Sequence, residues 1–170
     1  MSRSLGICAA LAFVGTVVLA NALIERYGAV PVGFGLMAPA GVYAAGLAFT
    51  LRDLTHTALG RSAVIAAILA GAALSWAIAP AFAVASGVAF LVSEAADLAV
   101  YEPIRRRSWL GAVALSNTAG LIVDSALFLW LAFGSLAYLP GQLVGKAWMT
   151  ALAIGALAIA RQARAERATC

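Results

Sequence analysis

The chain has 170 residues, 64% of them hydrophobic and only 11% charged, with a mean hydropathy of +1.00. Ordinary soluble domains carry roughly 25% charged residues, so a water-soluble fold of this length has no means of hiding so much apolar surface. The net charge of +4 comes from basic residues scattered over short segments instead of one face interleaved with aromatics, which argues against a nucleic-acid partner.

Apolar runs of the length a helix needs to cross a hydrocarbon layer, about 20 residues for about 30 Å, recur along the chain between short polar breaks. In chain order they predict spans over 5–24, 32–51, 62–79, 81–101, 109–133 and 140–160. The fold class expected is therefore all-α: a polytopic membrane bundle of six transmembrane helices forming a single domain over 1–170. The first run, with Arg3 before it and Ala20-Asn21-Ala22 at its end, has the outline of a signal peptide, but Leu5 to Ile24 is long enough to be read as a span. Breaker residues mark the connections: Tyr27-Gly28 and Pro31, Gly60, Pro80, Pro103, then Gly134 and Pro140. No connection leaves room for an extramembrane domain, and 161–170 is read as a short cytoplasmic tail.

Orientation follows from the basic residues, because Lys and Arg in short loops stay on the cytoplasmic side. Alternate connections hold Arg3, then Arg52 and Arg61, then Arg105, Arg106 and Arg107, then Arg161, Arg164 and Arg167, whereas the opposite set holds Arg26 alone. Nine against one places both termini in the cytoplasm. Ala- and Gly-rich stretches such as 66–73 and 145–155 allow the close backbone approach by which helices associate in lipid.

Charges near the bilayer centre cost about 2.5 to 3.5 kcal/mol by insertion scales and more by other estimates, so ionisable residues inside the spans point first to function. Glu94, Asp97, Asp124 and Lys146 lie there, accompanied by Asn21, Ser86, Ser93, Ser116, Asn117 and Gln142. Helical periodicity arranges them in stripes. Ser86, Phe90, Ser93 and Asp97 share one face of the fourth span, with Glu94 beside it. Asn117 and Asp124 share a face of the fifth around Gly120, and Gln142 and Lys146 share a face of the sixth. Asn21, Gln142, Lys146 and Asp124 fall in the outer half, while Glu94, Asn117 and Asp97 fall near the middle or in the inner half. Asp124 and Lys146 are expected to pair, since a lone lysine at that depth is hard to tolerate. The whole set is expected to share one solvated cavity; the alternative is that these groups pin helices together by hydrogen bonds of about 0.6 kcal/mol each.

Other features are read more plainly. His56, without ligand partners, is a loop residue. Cys8 and Cys170 stand in no metal or redox spacing. Arg105 to Arg107 anchor topology and can meet anionic headgroups, and Tyr101 and Trp109 are interfacial aromatics. There is no GxxxxGK[ST] loop to bind ATP, and no HExxH, GxSxG or cysteine-histidine cluster. No cofactor, metal or catalytic residue is expected, and the chain is not read as an enzyme.

The stretch Ala85-Ser86-x-x-Ala89-Phe90-x-x-x-Glu94-x-x-Asp97-x-x-x-Tyr101, followed by Ser116-Asn117 and Asp124-Ser125-x-x-Phe128, resembles the VUT family of queuosine-precursor transporters. Asn21, Leu51-Arg52-Asp53-Leu54 with Gly60-Arg61, and Lys146 extend the likeness over roughly Asn21 to Trp148. Where the family pattern leads one to expect an acid shortly after Asp53, this chain has His56 and Thr57. The resemblance implies uptake of 7-cyano-7-deazaguanine or a related deazapurine across a bacterial cytoplasmic membrane. A guanine-like edge offers adjacent N–H donors that a carboxylate accepts in a fork, and a carbonyl that takes an amide or ammonium donor. Glu94 or Asp97 suits the first role, Asn117, Gln142 or Lys146 the second, and Phe90, Phe128 or Trp148 the stacking face. Glu94 and Asp97, three residues apart, disfavour joint ionisation and offer a route for coupling to protons. The other readings are a substrate-binding membrane subunit served by a separate ATP-driven module, an intramembrane enzyme, and a purely structural membrane protein. Expected partners are the deazapurine-like solute and the lipid bilayer, with homo-oligomerisation and an energising module left open.

Overall fold

The structure, a computed structural model, describes residues 3–169; Cys170 lies outside the described residues. Six helices and one hairpin are found among them. They are α1 (Arg3–Tyr27), β1 (Ala29–Gly33), β2 (Leu36–Pro39), α2 (Val42–Leu59), α3 (Arg61–Trp76), α4 (Pro80–Ile104), α5 (Trp109–Phe133) and α6 (Leu139–Thr169). Among the described residues, α1, α4 and the stretch Ala114–Phe133 of α5 are long and apolar enough to cross a membrane, and α3 is a shorter apolar helix.

Helix ends follow the local chemistry. Pro80 opens α4 at a first-turn position where its missing N–H is not needed. Ser108 caps α5, its Oγ accepting from the backbone N–H of Gly111. Gly134 closes α5 at φ 63, the left-handed conformation that glycine adopts without a Cβ penalty. The helix α6 continues to Thr169, so the segment read as a tail has a helical backbone, while the side chains of Arg161, Arg164 and Arg167, like that of Trp109, lie outside the described set.

The second predicted span needs correcting. The apolar run over 32–51 is not one helix: its first part is the antiparallel β1–β2 hairpin, and α2 begins only at Val42 and runs on to Leu59. Composition alone favoured a span, but Pro31, Gly33, Gly35 and Pro39 within nine residues break helical hydrogen bonding and suit a turn. The turn residues Phe34 and Gly35 both have positive φ, 53 and 71, as a two-residue type I′ turn requires. The fold is thus six helices with one short hairpin, predominantly α-helical as expected. Moving α2 eight residues along the chain also carries Arg52 into the helix, where it is 5% exposed, so it is not the loop charge that the orientation count assumed.

Packing builds one contiguous bundle. Phe13, Val17, Ala48, Val64, Ala67, Ile68 and Phe90 join α1, α2, α3 and α4, while Ile24, Ala85, Ala89, Phe128 and Leu129 join α1, α4 and α5. Small residues set the spacing. A Cβ on Gly46 would crowd Met149 and the backbone of Lys146, and one on Gly71 would crowd the Val17 side chain, so α2 comes close to the α6 backbone and α3 seats Val17 of α1 on a bare Cα.

Candidate functional site

Among the described residues the expected site residues line separate compartments, of which two hold most of them. The first is an enclosed pocket among α1, α2, α4, α5 and α6, lined by Asn21, Ser86, Phe90, Asp124, Phe128, Gln142 and Lys146 together with small apolar residues. Its space open to water is about 30 Å³, room for about two molecules. The second is a wider, more open vestibule of about 410 Å³ lined by Arg52, Asp53, His56, Glu94, Asp97, Tyr101, Ser116 and Asn117 among others.

Within the pocket, Lys146 is 1% exposed and Asp124 4%. The lysine Nζ donates to Asp124 Oδ2 and, at 2.8 Å, to Ser125 Oγ. Two charges this deeply buried are tolerable only because they neutralise each other and gain further hydrogen bonds. Asn21 Nδ2 donates to Ser86 Oγ at 3.0 Å, and Ser86 Oγ in turn donates to the Ala83 carbonyl at 3.3 Å. Asn21 Oδ1 and Gln142 Oε1 are buried and have no hydrogen-bond partner among the described residues. The pocket therefore presents two free acceptors beside a neutralised ion pair, with Phe90 and Phe128 as flat walls.

The vestibule is organised by Arg52, which the sequence reading counted as a loop charge and as part of the family motif but not as a site residue. Arg52 donates to Asp53 Oδ1 from Nε at 3.0 Å and from Nη2 at 2.7 Å, and Nη2 also reaches Asn117 Oδ1 at 3.3 Å. Its Nη1 stands 3.2 Å from Glu94 Oε2, an ion pair whose angles make no hydrogen bond. Asp97 is half-buried, its Oδ1 without a hydrogen-bond partner among the described residues, and it sits opposite the bare Cα of Gly120. His56, read as a loop residue, lies in the last turn of α2 and lines this vestibule.

A cluster of aromatic rings links residues of the two. Phe49 carries Lys146 Nζ 5.4 Å and Arg52 Cζ 5.3 Å from its ring centroid, both within cation–π range, and packs 5.8 Å from Phe90, which meets Phe13 edge-on at 5.9 Å. Asn21, Phe90, Asp124, Gln142 and Lys146 thus come together, whereas Glu94, Asp97 and Asn117 do not join them; the expectation of a single cavity is corrected. Asn117 and Asp124, read as one stripe of the fifth span, line different spaces, and the periodicity of single helices is silent on a ring contributed by α2. Arg52 and Phe49 were missed for that reason, and the available signal was their spacing of three residues on one helix face.

Residues 75–160 match the family model described as "Putative vitamin uptake transporter", which spans half of the chain. The chain belongs to this family. No curated protein and no solved structure gives a significant match. The segment shared with the vitamin uptake transporter family takes in α4, α5 and the apolar part of α6. It supplies Ser86, Phe90, Asp124, Phe128, Gln142 and Lys146 to the pocket, while Asn21, Phe49 and Arg52 come from outside it. Among the described residues no cluster of His, Cys, Asp and Glu has the arrangement of a metal site.

Proposed function

We propose that this membrane protein is a carrier for a small polar heterocycle, a queuosine precursor such as 7-cyano-7-deazaguanine or a related deazapurine, taken up across a bacterial cytoplasmic membrane through a six-span bundle with both termini inside. The observation that carries this reading is the pair of buried amide oxygens, Asn21 Oδ1 and Gln142 Oε1, left without partners in an enclosed pocket. An unsatisfied buried acceptor costs about 1 to 3 kcal/mol, and a solute bearing N–H donors removes that cost. Phe90 and Phe128 offer faces on which a flat ring stacks. Asp124 and Lys146 present a short acceptor-donor pair of no net charge, which suits a neutral solute.

This assigns the N–H acceptors to amides instead of the carboxylates that the sequence favoured, because Glu94 is committed to Arg52. Glu94, Asp97 and Asn117 instead line the vestibule through which a solute passes beyond the Phe49–Phe90 contact, and Asp97 is the acid left free to carry a proton. The pocket as it stands is too small for a bicyclic ring, so binding requires the helices around it to part.

Thermal unfolding of the detergent-purified protein tests the assignment. A ligand at 100 times its dissociation constant stabilises by about 2.7 kcal/mol. 7-Cyano-7-deazaguanine is expected to give such a shift in the parent protein and none in Gln142→Ala. A shift that persists undiminished in Gln142→Ala and Asn21→Ala would move the solute out of this pocket. Liposomes containing this protein alone are expected to accumulate or exchange the solute; uptake only after an ATP-hydrolysing module is added would make it a binding subunit instead.

A further inference from the structure

The hairpin is placed where a surface loop would not be. From Gly28 to Val42 no side chain is polar. The chain leaves α1 immediately after Glu25-Arg26-Tyr27, and the base of the hairpin is closed by the Ala40 N–H donating to the Gly28 carbonyl at 2.7 Å. From that base the two strands run back alongside the bundle. Met37 abuts Gly141 near the start of α6, Val32 abuts Gly145, and the tip residue Phe34 stacks on Trp148 with centroids 6.3 Å apart and planes at 13°. The seven residues from Gly141 to Trp148 rise about 10 Å, and the three from Met37 to Phe34 span about 10 Å of strand. Hairpin and helix therefore run side by side, and the tip lies beside the apolar body of α6, away from the charged end of α1.

We propose that β1–β2 is a re-entrant element embedded in the bilayer, its outward face lying against lipid acyl chains. One face is buried through Val32, Ala38 and Pro39. The other exposes Pro31, Gly33, Phe34 and Met37, with Phe34 80% exposed. This face meets the outward surface of α6, where Phe34 stacks on Trp148, 50% exposed, and Leu152, 66% exposed, follows one turn on. Acyl chains are the occupant that an apolar face contiguous with a membrane helix fits.

A sheet edge in hydrocarbon is ordinarily forbidden, since every bare N–H or carbonyl there goes unsatisfied. This hairpin disarms its edges from within the chain. Pro31 and Pro39 carry no N–H, the Pro31 carbonyl accepts from Tyr43 Oη at 3.1 Å, and the Met37 carbonyl is pressed onto α6 at Gly141. The inference rests on the protein's being a membrane protein and not on the identity of its solute.

Spin labels on single cysteines in proteoliposomes test it, in a background of Cys8→Ser and Cys170→Ser. At Phe34→Cys and Met37→Cys the label is expected to collide readily with oxygen, which concentrates in hydrocarbon, and at least fivefold less with a water-soluble nickel chelate, matching Leu152→Cys; Arg26→Cys is expected to show the reverse. Nickel accessibility at both hairpin positions equal to that at Arg26→Cys would place the hairpin in water and overturn the proposal. Shielding of both positions from both reagents would overturn it too, by showing that a second copy of the chain covers the face. Met37→Cys keeps the test decisive if Phe34→Cys, at a positive φ, fails to fold.

Discussion

Two buried cations, Lys146 and Arg52, share one aromatic ring. Lys146 and Arg52 both contact Phe49, but among the described residues Lys146 is held by Asp124 and Ser125, whereas Arg52 has Asp53, Asn117 and Glu94. The two sites should therefore answer mutation differently. Removing one charge of the Asp124–Lys146 pair leaves the other uncompensated and is expected to cost about 3 to 5 kcal/mol. The double variant Asp124→Asn with Lys146→Met is expected to unfold at a higher temperature than either single variant, a non-additivity that a thermal double-mutant cycle measures. Additive losses would mean that the two charges are not coupled. Asp97→Asn, which breaks no hydrogen bond of Oδ1, is expected to fold normally and to change transport only. That split separates a group acting in the pathway from one that holds helices together.

Among the elements, the hairpin and α6 depend on each other through glycine. At Gly141 any side chain would meet the Met37 carbonyl, a backbone atom that cannot rotate away, and the neighbouring Gln142 lines the pocket. Gly141→Ala is expected to destabilise the protein by about 1 to 3 kcal/mol, the range for overpacking a filled interior, and to weaken solute binding by displacing Gln142. Gly15→Ala, which meets nothing within 4 Å, serves as the control and is expected to be neutral or slightly stabilising by helix propensity. Melting curves of both variants check the contrast; equal stability would show that the hairpin does not press on α6.

For the whole molecule the open question is orientation. Without Arg52, the loop and terminal charges still stand at Arg3, Arg61, Arg105, Arg106, Arg107, Arg161, Arg164 and Arg167 on one side and Arg26 on the other, so the asymmetry survives the correction. In intact cells a membrane-impermeant maleimide is expected to label Arg26→Cys and to leave Arg106→Cys unlabelled until the membrane is opened. External labelling of Arg106→Cys would invert or break the six-span topology. On the proposed orientation and function, the pocket would face the outer half of the bilayer and the vestibule the cytoplasm, with Phe49 and Phe90 packed between their residues.

Composition and periodicity sufficed for whatever depends on one helix at a time. A mean hydropathy of +1.00 made this a membrane chain, the 3.6-residue repeat put Gln142 beside Lys146, and the cost of a lone buried charge demanded a partner that the structure supplies as Asp124. What tertiary structure alone decided is how the helices stand relative to one another. Hydropathy does not distinguish an apolar hairpin from an apolar helix, so the hairpin residues 32–39 were absorbed into a span. Stripes read separately carry no information on the rotation and offset of their neighbours, so nothing in the sequence revealed that α2 would insert Phe49 between Lys146 and Arg52. Glu94 lines a different space from the pocket it was expected to share, because the spacing of packed helices is fixed by long-range contacts such as Gly46 on Lys146 and not by any local repeat.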